Sequence, residues 1–223
     1  MKEYKARIVD NMLKERLEAK GAVVIEGPKW CGKTTTAMQV AGSILRMDEP
    51  RNREANIQMA EIDPGQLLKG DAPRLIDEWQ IAPKLWDATR YEVDTRGKEG
   101  QFILTGSAVP VESGEITHSG TGRFTWLLMR PMSLYESGDS TGEVSLQNLF
   151  ERPDRIAGTN DFDIDRLAFL ICRGGWPYAV GMKEKPSLLQ AEDYYEAVIK
   201  SDINRADGVS KNPERVKRLM RSF

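Results

Sequence analysis

A glycine-rich segment between an apolar run and a helical pattern constrains this chain more than any other feature. Residues 27–34 read GPKWCGKT and fit the pattern G-x-x-x-x-G-K-[ST], which is typical of loops that bind phosphate groups. Residues 22–26 (AVVIE), directly before it, are apolar and β-branched and predict a buried strand. Residues 35–45, directly after it, predict a helix with one apolar face. The segment is therefore predicted to be a phosphate-binding loop (P-loop).

The loop predicts a site for a nucleoside triphosphate. Backbone N–H groups, the amino end of the next helix and the Lys33 ammonium would face the phosphates. Gly27 and Gly32 permit backbone angles that a side chain would forbid. The Thr34 hydroxyl would lie where a Mg²⁺ ion bridges the phosphates. The residues expected to bind the nucleotide are Gly27, Pro28, Lys29, Trp30, Cys31, Gly32, Lys33, Thr34 and Thr35.

An acidic pair predicts what the site does with the phosphates. Asp77 and Glu78 follow the short expected strand 74–76, in which Leu75 and Ile76 are apolar. The Asp77 carboxylate could hold Mg²⁺ directly or through water. Glu78 could deprotonate a water for attack on the γ-phosphate. The Asn-Lys-x-Asp motif with which switch-type GTPases read guanine is absent from the sequence.

Hydroxyl and arginine side chains are further candidates. Thr105 and Ser107 follow the expected strand 101–104, where either hydroxyl could contact the γ-phosphate or the attacking water. An arginine could stabilise the charge of the transition state, from the same chain or from a neighbouring subunit. Arg123 is preferred because the loop 109–122, which contains three glycines, could close over the site. The alternatives are Arg130, Arg90 and Arg96.

The alternation of strands and helices predicts an α/β fold with a mainly parallel, five-stranded sheet covered on both faces. The expected strands are 22–26, 57–62, 74–76, 101–104 and 123–129. Beyond residue 160 only helical patterns follow, at 165–172, 187–206 and from 213 onward. The predicted domains are 1–158, a P-loop domain, and 159–223, a helical lid or connector.

Composition excludes several classes of protein. The formal net charge is −2, so no overall field draws the chain to nucleic acid or to a membrane surface. No apolar run is long enough to cross a membrane, and the first residues lack the apolar core of a signal peptide. Cys31 and Cys172 lie in no metal-binding spacing, which suits a reducing cytoplasm. Cys31 is interpreted as a small packing residue without a redox role.

The motifs together resemble the prokaryotic AAA-like P-loop ATPases that carry a C-terminal DUF4143 region. The resemblance implies an ASCE-type, three-layer P-loop fold, a cytoplasmic location and ATP as the ligand, and it favours Ser107 over Thr105 as the sensing hydroxyl. It also implies a further C-terminal region, so the chain is expected to be truncated, with nucleic-acid binding confined to that missing part. The resemblance to this family rests on the segments 29–34 (KWCGKT), 75–80 (LIDEWQ), 102–107 (FILTGS), 122–134, 174–177 (GGWP) and 194–203.

Three functions remain open at this point. The preferred one is a Mg²⁺-dependent ATPase whose hydrolysis switches the helical C-terminal part, in a monomer or a homo-oligomer. The second is a nucleotide sensor that does not hydrolyse ATP. The third is a small-molecule kinase, which would need an acceptor pocket. The adjacency of Asp77 and Glu78 favours the first.

Overall fold

The computed structural model describes residues 3–106, 120–203 and 211–222. The chain forms two compact units, Met1–Arg130 and Pro131–Phe223. The predicted boundary at residue 158 falls inside the second unit and stays a prediction about independently folding domains. Among the described residues, no helix is both long and apolar enough to span a membrane.

The first unit contains one five-stranded sheet in the order β2-β3-β4-β1-β5. Every neighbouring pair is parallel, so the α/β fold with a parallel sheet is confirmed. Strand β4 lies between β1 and β3. The loop that follows β1 and the acidic pair at the end of β3 therefore lie on either side of the end of β4. The strands are β1 Ala22–Glu26, β2 Ser43–Arg46, β3 Arg74–Asp77, β4 Phe102–Thr105 and β5 Phe124–Leu128.

The register defines two edges of the sheet. Ala22 is aligned with Phe102 and with Phe124, so the strands begin at a common edge, here called the far edge. The strands end together at the opposite edge, where Asp77 is aligned with Thr105. This second edge carries the loop that follows β1 and is called the P-loop edge. Ligands of open parallel sheets bind at such carboxyl ends.

Helices of the first unit pack against the sheet through apolar side chains. Leu13 and Leu17 are the buried face of α1, and Leu85, Trp86 and Val93 are buried on α5. The Trp86 ring meets Phe124 of β5 edge-on, with ring centroids 4.5 Å apart, a favourable aromatic geometry. The helices are α1 Val9–Ala19, α2 Lys33–Ala37, α3 Arg53–Ile62, α4 Pro64–Leu67 and α5 Lys84–Arg96.

Two predicted elements are wrong. The helix expected over 35–45 ends at Ala37, and β2 begins at Ser43. Between them Gly42 packs against the segment before β3, so closely that a Cβ atom would be 2.7 Å from the Ala72 carbonyl oxygen. The strand expected over 57–62 is instead the second half of α3. The count of five strands was right only because these two errors cancel.

The described part of the second unit contains helices and no strand, in agreement with the predicted helical appendage. A polar cluster in this unit surrounds Asp139, which accepts hydrogen bonds from Arg166 at 2.7 Å and Arg173 at 2.9 Å. Burial alone would raise the pKa of Asp139, but Ser137 and the two arginines outweigh it and lower the pKa. The helices are α6 Leu134–Ser137, α7 Leu146–Glu151, α8 Ile164–Arg173, α9 Glu184–Ala197, a π-helical turn Val198–Asp202, and α10 Pro213–Arg221.

Candidate nucleotide-binding site

The P-loop leaves β1 at a point where only glycine fits. Gly27 has a φ of 151°, and a Cβ atom there would lie 2.1 Å from the Met129 carbonyl oxygen. Gly32 has a φ of 103° and directly precedes α2. Both conformations are strained for residues with a side chain. The two glycines predicted from the motif are therefore required by the backbone of this loop.

We expect Gly27→Ala to lower the free energy of unfolding by about 3 kcal/mol or more, because strain and a clash with backbone combine. Gly97→Ala is the matched control, since Gly97 also has a positive φ of 57° but has no atom within 4 Å of the added Cβ. It should cost only about 1–2 kcal/mol. Urea denaturation followed by circular dichroism measures both. Equal losses would show that the contact with Met129 does not constrain the loop.

Lys33 is held inside the loop. Its ammonium donates to the Gly27 and Pro28 carbonyl oxygens, each at 2.9 Å, and the residue is only 7% exposed. A lysine ammonium has three N–H donors, so these two bonds leave capacity for an anionic oxygen. α2, which follows, has only five residues, so its dipole adds less positive potential than the longer predicted helix would. Lys33 is therefore the main fixed positive charge of the loop.

The hydroxyls of Thr34 and Thr105 converge on one carboxylate oxygen. The Thr34 hydroxyl donates to Asp77 Oδ1 at 2.8 Å, and the Thr105 hydroxyl donates to the same atom at 2.6 Å. Asp77 is 7% exposed and Thr105 is 1% exposed. The three residues come from α2, β3 and β4, and the order of the strands brings them together. Thr34 and Asp77, the two residues predicted to hold Mg²⁺, are thus in direct contact.

Glu78 lies next to this cluster in an unusual backbone conformation. Its φ is 56°, and among the described residues the only other non-glycine with positive φ is Trp30, at 64° in the P-loop. Strained residues of this kind concentrate at functional sites. The Gln80 side-chain amide donates to Glu78 Oε2. A Cβ atom on Gly106, just after β4, would lie 2.3 Å from Gln80 Oε1, so Gln80 packs against that strand end.

Of the two candidate sensing hydroxyls, the structure describes only that of Thr105. Ser107, preferred from the resemblance, lies outside the described residues, as do residues 109–119 of the loop expected to close over the site. Thr105, the alternative, is described and contacts Asp77 as given above. A role for Ser107 stays a prediction.

Arg123 is not brought to the P-loop. It directly precedes β5 and so lies at the far edge, separated from the P-loop edge by five residues of strand, roughly 16 Å. Its guanidinium donates to Asp94 at 2.8 Å, and this bond raises the pKa of Arg123 and lowers that of Asp94. The prediction overlooked that a residue before a parallel strand lies at the opposite edge from a residue after one.

The alternative arginines have different positions. Arg90 pairs with Asp94 at 3.3 Å, and Arg96 pairs with Glu92 at 3.0 Å and lies over the Phe102 ring at the far edge. Arg130 is exposed and follows β5 on the P-loop edge, where Met129 N–H donates to the Glu26 carbonyl. Position in the sheet therefore favours Arg130.

The N-terminal segment contributes contacts that the motifs did not predict. Arg7 is 7% exposed and donates to the carbonyl oxygens of Cys31 and Arg130, at 2.8 Å each. The Tyr4 hydroxyl donates to Asp10 at 2.6 Å and lies 3.0 Å from the Thr36 hydroxyl of α2. No motif includes these residues, so sequence patterns could not have identified them.

Cys31 is fully buried in the loop, with its thiol 3.8 Å from the Met129 carbonyl oxygen. Burial raises the pKa of the thiol, against smaller opposing effects of Lys33 and Arg7. A buried thiol that stays protonated is a poor nucleophile, which favours the predicted packing role.

Comparisons with known proteins can now be set beside this geometry. The family model described as AAA domain (AAA_14) matches residues 19–138. Among solved structures, the Walker-type ATPase PABY2304 of Pyrococcus abyssi matches with a TM-score of 0.48 and 15% identity over 90% of this chain and 75% of that chain. No curated protein matches. Since the family model covers more than half of the chain, this protein belongs to the AAA domain family.

Proposed function

We propose that the protein binds ATP with Mg²⁺ and hydrolyses it to ADP and phosphate. The observation that carries the proposal is the shared contact of Thr34 and Thr105 with Asp77, which joins the P-loop to the acidic strand end. Glu78 follows at once and supplies a second carboxylate. This combination of loop, hydroxyl and paired carboxylates is what hydrolysis of a bound triphosphate requires.

Binding would rest on the P-loop. Lys33 would direct its remaining N–H toward a phosphate oxygen, and it could release its bonds to the Gly27 and Pro28 carbonyls in exchange for stronger charge-assisted ones. The nine residues 27–35 would surround the phosphates. The loop backbone would contribute N–H groups from the side opposite its bonded carbonyls.

Thr34 and Asp77 fit a Mg²⁺ ion. They present a hydroxyl and a carboxylate oxygen 2.8 Å apart, and Mg²⁺ is usually bound by one or two protein oxygens together with phosphates and waters. In the described part of the chain no group of three or more His, Cys, Asp or Glu side chains could form a dedicated metal cage. When bound, Mg²⁺ would neutralise phosphate charge during the reaction.

Glu78 would act as the general base. A water in line with the γ-phosphate forms the new P–O bond while the bond to the β–γ bridging oxygen breaks and ADP leaves. The carboxylate of Glu78 would take the proton of that water. Ser107 is proposed to contact the γ-phosphate or this water.

The test is the release of phosphate from Mg²⁺-ATP, measured alone and with candidate small-molecule acceptors. Release that needs Mg²⁺ and no acceptor supports the ATPase. Release only on addition of an acceptor, with a phosphorylated product, would identify a kinase. Tight ATP binding without release would identify a nucleotide sensor.

One observation favours the sensor as the second candidate function. The Gln80 amide donates to Glu78, so the carboxylate that should act as base is already engaged by the protein. A protein in which this contact persisted after ATP binding would bind the nucleotide and not hydrolyse it. Single-turnover measurements distinguish the two, because a sensor retains intact ATP.

We expect Arg123→Ala to change ATP turnover by less than about threefold and Arg130→Ala to lower it by about tenfold, because an arginine must reach the phosphates to stabilise the transition state. The steady-state rate of phosphate release measures both. A hundredfold loss in Arg123→Ala, restored in part by mixing it with Glu78→Gln protein, would instead show that Arg123 acts across a subunit interface.

The wider role is also a proposal. Hydrolysis is proposed to change the conformation of the helical second unit, and a homo-oligomer in the cytoplasm is compatible with the site. Hydrogen exchange of α8 and α9 with ATP and with ADP would test the coupling. Identical protection in both states would argue against a switch.

A further inference from the structure

We propose that Arg7 is a positioning residue that sets the orientation of the P-loop for phosphate binding. The assignment rests on the proposed function and adds to it a support that lies outside the AAA domain match, which begins at residue 19. Tyr4, Arg7 and Asp10 form this support and are called the N-terminal strap.

Arg7 bridges two segments of the P-loop edge. One guanidinium nitrogen donates to the Cys31 carbonyl inside the loop, and the other donates to the Arg130 carbonyl after β5, both at 2.8 Å. The planar guanidinium presents its donors in a fixed fork, so holding both oxygens restricts their relative position. Arg7 is nine-tenths buried, so water competes little for these bonds.

The contact with Cys31 fixes the direction of one backbone donor. In a trans peptide the C=O and the following N–H point in opposite directions. The Cys31 carbonyl points at Arg7, so the Gly32 N–H points to the other side of the loop. Gly32 has a φ of 103°, and because glycine adopts many backbone angles, the contact with Arg7 is what restricts the orientation of this peptide. We assign the Gly32 N–H as a phosphate donor oriented by Arg7.

Tyr4 and Asp10 hold Arg7 in place. Asp10 accepts the Arg7 backbone N–H at 2.8 Å and the Tyr4 hydroxyl at 2.6 Å. A tyrosine hydroxyl has one hydrogen, so the Thr36 hydroxyl, 3.0 Å away, donates to the Tyr4 oxygen. Burial first, and then the bond to Asp10, raise the pKa of Tyr4, so it stays protonated at neutral pH. The strap therefore contacts both the loop and α2.

The test compares Mg²⁺-ATP affinity by isothermal titration in wild type, Arg7→Gln, Arg7→Lys and Arg74→Gln. Arg7→Gln should bind ATP about fivefold or more weakly, because the amide cannot bridge both carbonyls. Arg7→Lys keeps the charge without the fork and should fall between wild type and Arg7→Gln. Arg74 donates to the Leu67 carbonyl at 2.8 Å from the start of β3, at the far edge, and its variant should bind as wild type does.

A spectroscopic readout separates positioning from stability. In ¹⁵N-labelled protein, the Gly32 amide resonance should shift on addition of Mg²⁺-ATP. In Arg7→Gln that shift should be smaller, even when the spectra are recorded well below the melting temperature of the variant. An unchanged affinity and an unchanged Gly32 shift in Arg7→Gln, or wild-type behaviour of Arg7→Lys, would overturn the assignment. If Arg7→Gln does not fold, Tyr4→Phe and Arg7→Lys provide the same comparison.

The two proposals fail in different ways. A wild-type protein that does not bind Mg²⁺-ATP would overturn the proposed function and the assignment of Arg7 with it. A wild-type protein that binds, together with Arg7 variants that bind equally well, would overturn only the assignment of Arg7.

Discussion

Replacing Glu78 by Gln is expected to slow ATP turnover by about a hundredfold or more and to leave ATP affinity nearly unchanged. The amide keeps the size of the side chain and can still accept the bond from Gln80, but it cannot take a proton from water. Asp77 and Thr34, the proposed Mg²⁺ contacts, remain intact. Because the base acts in the transition state and not in binding, the loss should be in kcat.

Single-turnover hydrolysis and isothermal titration check the two halves of this result. Glu92→Gln is the matched control, since Glu92 pairs with Arg96 on α5 and should affect neither quantity. If Glu78→Gln loses Mg²⁺-ATP affinity and keeps its turnover, the roles of Asp77 and Glu78 have been exchanged. If it changes neither, the protein does not use Glu78 as a base.

Sequence patterns predicted correctly those parts of the fold that a few consecutive residues determine. β1 and β4 are short apolar runs buried along nearly their whole length, and turn residues follow both. The P-loop motif carries its own backbone requirements at Gly27 and Gly32. The meeting of Thr34 with Asp77 was also predictable, since carboxyl ends of parallel strands share one edge.

The wrong elements show where local patterns mislead. Residues 57–62 were expected to form a strand, yet Gln58, Met59, Ala60 and Glu61 are good helix formers and the segment is helical. The end of α2 was missed because an apolar face continues through Val40 and Ile44, although Gly42 interrupts it. In both places the residue types carried a usable signal: good helix formers in the first segment and a glycine inside the expected helix in the second.

The site was harder to predict wherever it depends on distant parts of the chain. Arg7 is 24 residues from Cys31 and 123 from Arg130, so no motif could join them. Arg123 was preferred for the loop before it, but parallel register carries the start of β5 to the far edge. The edge of the sheet at which a residue lies decides which groups its side chain can contact. That edge follows from the order and direction of the strands and not from the neighbouring residues in the sequence.

Lys33→Ala is expected to abolish measurable ATP binding or to weaken it by at least about tenfold, because it removes the main fixed positive charge of the loop. The change acts twice, since the Lys33 ammonium also joins the Gly27 and Pro28 carbonyls and its loss leaves the loop less restrained. Isothermal titration with Mg²⁺-ATP measures the effect, and thermal denaturation without nucleotide reports any loss of stability.

Lys20→Ala provides the control for Lys33→Ala. The Lys20 ammonium also donates to a loop carbonyl, that of Gly122 at 3.2 Å, but it lies just before β1 at the far edge. Its removal should leave ATP affinity unchanged, because Lys20 lies at the edge of the sheet opposite the P-loop. An unchanged affinity in Lys33→Ala would refute the phosphate-loop assignment itself. Equal losses in both variants would mean that overall positive charge, and not the position of Lys33 in the loop, governs nucleotide binding.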